Sequence, residues 1–426
     1  MRSGAPPLSP SPKARPARSA RLAWLVLAVL LLFSIAAPLN QFKVPPILPI
    51  IMQSFNLSVG QAGLLMSLYA VTGVILALPA GLIFQRAGFR LTSLLAGGSI
   101  VVGAVWGALS PNITSVLASR VVEGVGTSLI AVLAPATVAM WFAASRRGVA
   151  MGVWANWVPL GSVAMLFVGP QLAQSGNWRA VWWFSALYTL AVTGIFLIFA
   201  KPAPATAAPA AQSANPAPAV ESTGRVLRNI NLWLLSLTFA CFNMAYIGFA
   251  TYIPTYLAME QNIPLARAAE WASLGAFTSM ISAPLAGIFS DRIGSRKIPY
   301  LLGLVLSGVA LPLAGFVTGN ALIALIGLQG LAAGLVPPNM YSAAVEVVGD
   351  ERLGGLAMGV MMVGQNAGML LGPIVFGALA ESAGGWPVAF GSLAPIFLVA
   401  LAAGLTAKVK DIRSAGSRQP LANPAK

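Results

Sequence analysis

The sequence predicts an all-α membrane protein of twelve transmembrane helices, arranged as two pseudo-symmetric six-helix bundles. Three observations predict it. Of 426 residues, 58% are hydrophobic and only 8% are charged. A water-soluble chain carries roughly 25% charged residues, so its surface here must face lipid instead. Apolar runs of about 20 residues, enough to cross a bilayer, recur along the chain. Nearly all the basic residues fall in the loops of one side.

The first run extends from Leu22 to about Met52, with Pro38, Pro45, Pro46 and Pro49 kinking its far end. Lys13, Arg15, Arg18 and Arg21 precede it, which resembles a signal peptide. The apolar character continues beyond it, so it reads as a first spanning helix that starts in the cytoplasm. Five more spans follow near Val59–Phe84, Leu91–Leu109, Ile113–Phe142, Val149–Leu172 and Val181–Ala200. The stretch Pro202–Val220 is mostly Ala and Pro, too poor in large apolar residues to pack, and reads as a flexible linker. Six further spans lie near Leu232–Leu257, Ala266–Ser290, Ile298–Val317, Ala321–Val348, Leu353–Leu379 and Pro387–Ala407. The expected organisation is a disordered basic tail (1–20), an N-terminal bundle (21–200), a cytoplasmic linker (201–229), a C-terminal bundle (230–408) and a cytoplasmic tail (409–426).

Charge placement orients these spans. With both termini in the cytoplasm of a cell's inner membrane, every Lys and Arg lies in a cytoplasmic segment except Lys43, Arg120, Arg179 and Arg267. Shifting the count by one helix would destroy this positive-inside pattern. The same placement accounts for the excess of 25 basic over 10 acidic residues without a nucleic-acid partner. The one cysteine, Cys241, excludes an internal disulfide framework and a Cys-rich metal site. No histidine is present, so imidazole chemistry is excluded.

The halves resemble each other. The segment Gly81–Arg90 follows the second span and Gly287–Arg296 follows the eighth. Asn177-Trp178-Arg179 and Gly385-Trp386-Pro387 each enter the last span of a half. Parallel six-helix repeats joined by a cytoplasmic linker are a transporter architecture, with the binding site between halves near the midplane.

At these residues the chain resembles the major facilitator superfamily, over about Arg21 to Lys410. The loop motif G-x-x-x-D-R-x-G-x-R-[KR] is complete at Gly287, Asp291, Arg292, Gly294, Arg296 and Lys297. The resemblance implies that this loop is a charge lock holding one conformation. The first-half copy has Gln85 at the Asp position, and a neutral amide cannot make the same ion pair. Arg120-x-x-x-Gly124-x-Gly126 and Gly169-Pro170, with Gly152 and Gly161 before it, are further family elements. They imply alternating-access transport and are nearly silent on substrate.

Charge inside a span is costly unless paired or hydrated, so it marks candidate sites. Lys43 follows Asn40 by three residues; it either lines the pathway or snorkels to the outer surface. Arg120 sits deeper and should face a wet cavity or a carboxylate. Glu123 lies on the same face, so a purely structural Arg120–Glu123 pair is the competing reading. Two cations against one carboxylate make a positive cavity that attracts anions. The resemblance implies that the Arg of this helix belongs to a substrate or coupling network. The expected substrate is a small carboxylate, gripped by Arg120 and Lys43. Glu123 is the candidate for proton coupling. Tyr69, Trp154, Asn156, Asn243, Tyr246, Asn339, Gln365 and Asn366 could complete the site, since buried amides and hydroxyls need partners. Gln329 is a further amide of the tenth span.

Small residues recur every four positions at Gly73, Ala77 and Gly81, at Gly275, Ser279, Ala283 and Gly287, and at Gly364, Gly368 and Gly372. These are either sliding surfaces between halves or tight packing within one. An enzyme would need a clustered nucleophile, acid–base pair or metal site, and no H-E-x-x-H or Walker-type loop is present. No cofactor or metal is expected; the partners are the bilayer, a small solute and a coupling proton, with the chain a monomer. Multidrug or metabolite efflux and a non-transporting membrane sensor are the alternative functions.

Overall fold

A computed structural model describes residues 17–77, 79–142, 144–174, 176–200, 220–349 and 353–409. Most of the predicted N-terminal tail, linker and C-terminal tail lies outside the described residues. So does Arg352. Two boundaries of the sequence reading shift. The first helix, α1 (Ala17–Gln41), begins inside the stretch assigned to the tail. A short amphipathic helix, α10 (Val220–Leu227), lies inside the stretch assigned to the linker.

Among the described residues eleven helices are long and apolar enough to cross a membrane, and none of these residues is in a strand. A shorter apolar helix, Lys297–Leu313, holds the place of the ninth span. At 17 residues it reaches roughly 25 Å, near the lower limit for a crossing.

The N-half starts with α1. A 3-10 turn (Pro45–Ile47) and α2 (Leu48–Phe55) then lead to α3 (Val59–Ala62) and α4 (Leu64–Leu76). Val59–Leu76 is long and apolar enough to form one crossing. The segment α5 (Pro79–Leu109) joins two helices across Gly88: the end of the second span with the start of the loop motif, then the third span. Gly88 has φ 71°, a value that glycine adopts without steric cost. The fourth to sixth spans are α6 (Ile113–Trp141), α7 with α8 (Ala144–Trp154, Trp157–Leu172) and α9 (Arg179–Phe199). The C-half holds α11 (Ile230–Met259), α12 (Leu265–Ile293), α13 (Lys297–Leu313) and α14 (Gly319–Val348). It ends with α15 (Gly354–Glu381), α16 (Gly385–Gly391) and α17 (Leu393–Thr406).

The glycine stripes divide by what they touch. Cβ atoms at Gly364, Gly368 and Gly372 of α15 would strike the backbone of α11 at Ser236, Ala240 and Met244. Within the same half, Gly275 faces Ile326 of α14. These stripes let backbones approach closely inside one half. Gly73 differs, because its face meets Asn366 of the other half.

Contact between the halves is concentrated at the end away from the basic loops. Ser58 Oγ and the Gly60 amide both donate to Glu381 Oε2, at 2.9 and 3.0 Å. Tyr252 donates to the Val59 carbonyl at 2.7 Å. An added Cβ at Gly63 would lie 2.5 Å from the Pro373 carbonyl oxygen and from the Tyr252 hydroxyl. Toward the basic loops the picture reverses. A Cβ at Gly81, Gly152 or Gly287 would meet nothing within 4 Å. Leu82, Val149, Val153, Ile281 and Leu285 are exposed there. The molecule is thus sealed at one end and parted at the other.

Candidate substrate pathway

The candidate site begins where α1 stops. In a helix running on, the amides of residues 45 and 46 would bond the carbonyls of Gln41 and Phe42. Pro45 and Pro46 have no amide hydrogen, so the helix ends and its last carbonyls need other donors. Arg120 of α6 supplies them. Its Nη1 donates to the Asn40 carbonyl at 2.7 Å and its Nη2 to the Gln41 carbonyl at 3.0 Å. Its Nε reaches the Leu65 carbonyl of α4 at 2.9 Å. A cation is also favoured at this end of a helix by the macrodipole.

Glu123, one turn along α6, holds two cations. One carboxylate oxygen accepts from Arg120 Nη1, and the other from Lys43 Nζ at 2.7 Å. All three side chains are 0% exposed. Lys43 completes its shell with Asn40 Oδ1 at 3.1 Å and Ser185 Oγ at 3.2 Å, and lies 4.5 Å from the centre of the Trp182 ring. Arg120 lies 4.5 Å from the centre of the Tyr69 ring. Tyr69 in turn donates to the Ala37 carbonyl at 2.8 Å and pairs with Thr127. The network ties α1, α4, α6 and α9 together and sets two basic side chains against one carboxylate.

Lys43 does not snorkel; it turns inward. Neither Lys43 nor Arg120 reaches the space between the halves in this conformation. The Arg120–Glu123 pair is present, with Lys43 as a third member.

That space narrows to a cavity of about 40 Å³. Phe42 and Pro45, the neighbours of Lys43, form part of its wall. Ser162 and Leu166 of α8 contribute, as do Tyr246, Phe249 and Ile253 of α11. Ala276 of α12 and Gln329 of α14 complete it. Among the predicted pathway residues, Tyr246 and Gln329 are in this wall.

The others are placed as follows. Trp154 is buried, donates to Ser34 Oγ at 3.0 Å and stacks on Trp157. Asn243, Asn339 and Asn366 each turn their amide onto a carbonyl of their own helix four residues back, and Asn156, between α7 and α8, turns its amide onto Gly152 of α7. Asn366 also packs against Gly73 across the interface. Gln365 accepts from Tyr341 at 2.7 Å. Sequence reasoning missed Trp182, Ser185 and Glu381, because partners far apart in sequence leave no local pattern. The Ser58–Gln61 capping box does signal a helix start beside Glu381.

The loop motif forms a compact charge cluster. Gly294, at φ 72°, closes α12 in the left-handed conformation and turns the chain toward α13. Arg296 then reaches Asp291 at 2.6 Å, Glu346 of α14 at 3.2 Å and Ser290 Oγ at 3.0 Å. Lys297 donates to the carbonyls of Leu405 and Ala407 at the end of α17. All these partners belong to the C-half. In the first-half copy, Gln85, Arg86 and Arg90 make no hydrogen bond or ion pair among the described residues. Asp291 is 67% exposed. Asp291→Asn is therefore expected to change stability by less than about 1 kcal/mol while slowing transport several-fold. Unfolding midpoints and transport rates measured on one preparation check this. A stability loss as large as the transport loss would remove the conformational role.

The Major Facilitator Superfamily model matches residues 29–277 and 266–423. A probable sulfoacetate transporter of Cupriavidus necator is 22% identical over 88% of this chain and 93% of its own length. A hexuronate transporter of Bacillus subtilis is 24% identical over 80% of this chain and 84% of its own. Among solved structures, a bacterial homologue of the human lysosomal transporter Spinster, inward-facing and occupied, superposes with a TM-score of 0.75. It is 16% identical and covers 92% of this chain and 97% of that one. This likeness shows the fold. With its twelve-helix plan, its paired loop motifs and a match spanning both halves, the chain belongs to the Major Facilitator Superfamily and is a multi-pass membrane transporter.

Proposed function

We propose that this protein moves small organic anions by alternating access, with proton movement coupled through Glu123. The observation that carries the reading is the Lys43–Glu123–Arg120 network. It places one net positive charge, sealed from solvent, directly behind the cavity wall at Phe42 and Pro45. A net charge roughly 10 Å from an anion is worth about 1–2 kcal/mol at an effective dielectric near 20. Protonation of Glu123 would cancel its charge and release Lys43 from its ion pair. The site then becomes more positive, which favours anion entry. Substrate and proton would bind together by this linkage. The relatives named for sulfoacetate and hexuronate support an anionic substrate.

In this reading the open end, which carries Arg86, Arg90, Arg292 and Arg296, faces the cytoplasm of the inner membrane, and the protein works as a monomer. Arg120 and Lys43 act on the substrate by charge, and by direct contact once Lys43 is released.

A second reading has one observation behind it. The cavity wall itself is largely apolar, with Phe42, Leu166, Phe249, Ile253 and Ile326. That favours efflux of apolar compounds. Uptake of radiolabelled carboxylates and sulfonates into proteoliposomes under an imposed pH gradient separates the two. The expected result is gradient-driven anion uptake in the wild type and gradient-independent exchange in Glu123→Gln. Export of lipophilic compounds with no movement of any anion would sink the anion reading. An equal response to the gradient in Glu123→Gln would remove proton coupling at this residue.

A further inference from the structure

Gln329 is 2% exposed, and both of its side-chain polar atoms are buried without a hydrogen-bond partner. Among the described residues it is the only amide in that condition. The buried asparagines in the neighbouring spans each return a donor to their own helix; Gln329 does not. It lines the cavity between the halves together with Tyr246, whose hydroxyl has no hydrogen bond among the described residues. Ser162 across the cavity donates to Pro159 and keeps its acceptor capacity.

The two ends of an amide ask for different things. Nε2 only donates and Oε1 only accepts. A carboxylate, a sulfonate or nitrate only accepts hydrogen bonds. Such a group satisfies Nε2 and leaves Oε1 buried and bare, which is unfavourable. An alcohol hydroxyl both donates and accepts, and so matches Gln329 and Tyr246 alike. The cavity of about 40 Å³ holds one group of that size beside its apolar wall. Charge recognition by the Lys43 network and hydroxyl recognition by the C-half are then separate tasks on separate halves.

We propose that Gln329 and Tyr246 read a hydroxyl group on the substrate, so that the protein selects hydroxylated organic anions over unhydroxylated or inorganic ones. This rests on the anion reading above. The test uses the purified full-length protein and matched ligands: gluconate with hexanoate, glycerate with propionate, sorbitol as a neutral polyol, and nitrate. Ligand-dependent shifts in the unfolding midpoint report binding. The wild type is expected to bind the hydroxylated member of a pair at least about ten-fold more tightly, as sites built to bond a hydroxyl reject analogues lacking it. Gln329→Leu should bring each pair within about three-fold of equality, and Tyr246→Phe should narrow the gap. Both variants are first checked for folding by their ligand-free midpoints; if Gln329→Leu does not fold, Tyr246→Phe carries the test. Equal binding within the pairs in the wild type overturns the proposal. So does a preference that survives the variants, or no binding by any hydroxylated probe. Sorbitol binding that depends on Gln329, with no gluconate binding, supports hydroxyl recognition and overturns the anion reading. Hexanoate or nitrate binding with no hydroxyl preference does the reverse.

Discussion

Glu123→Ala is expected to cost about 3–5 kcal/mol of stability and to abolish transport. The carboxylate is the shared partner of two cations that are both 0% exposed. Without it, Lys43 and Arg120 face each other across a dry interior with their charges uncompensated. Removing one member of a buried ion pair is costly because the other remains desolvated. The backbone carbonyls of Asn40, Gln41 and Leu65 would still bind Arg120, and Ser185 would still meet Lys43. They are neutral dipoles and replace only part of the lost attraction. Thermal or denaturant unfolding in detergent measures the loss. Glu123→Gln keeps the shape and one acceptor, so it should fall between wild type and alanine. Wild-type stability in Glu123→Ala would mean that the cations find water or another anion, and the sealed network would be wrong.

Gly63→Leu is expected to leave the fold intact and stop the transport cycle. The position of an added Cβ lies 2.5 Å from the Pro373 carbonyl oxygen and 2.5 Å from the Tyr252 hydroxyl, both of the other half. A branched side chain there is a wedge between halves, not within one. Overpacking costs typically 1–3 kcal/mol, and two states within a few kcal/mol of each other change places under such a load. The halves should separate at the sealed end and close at the end of the basic loops. Cysteines placed at Val59 and at Gly287 report the change. Labelling should rise at the first and fall at the second. Glu381→Gln weakens the same seal by removing a charged acceptor for Ser58 and Gly60, and a smaller shift in the same direction is expected. Unchanged labelling in Gly63→Leu would mean that the seal is not what holds this conformation.

Much of the architecture was legible in the residues alone. The predicted fourth span, Ile113–Phe142, differs from α6 by one residue, because Asn112 caps its start and an apolar run fills its length. The tenth and eleventh spans likewise fall within two residues of α14 and α15. The misjudged elements were those where backbone conformation, not hydropathy, sets the limit. Apolar character continues through Met52, but α1 stops at Gln41 for want of amide hydrogens.

For the site, the sequence by itself determined which groups are costly enough to matter. Lys43, Arg120 and Glu123 stand out because a charge in an apolar span demands a partner, and that demand is local. It also offered the pairing of Arg120 with Glu123 as one of two readings, since a spacing of three puts both on one helix face. Only the tertiary structure decided that Lys43 joins them from 80 residues away, that the three are sealed inside one half, and that Gln329 is the amide left without a partner. Burial and hydrogen-bond satisfaction depend on what other helices bring to a position, and no sequence spacing encodes that. The same reason explains the glycine stripes: the spacing of four promised a close approach, and the packing chose which helix approaches.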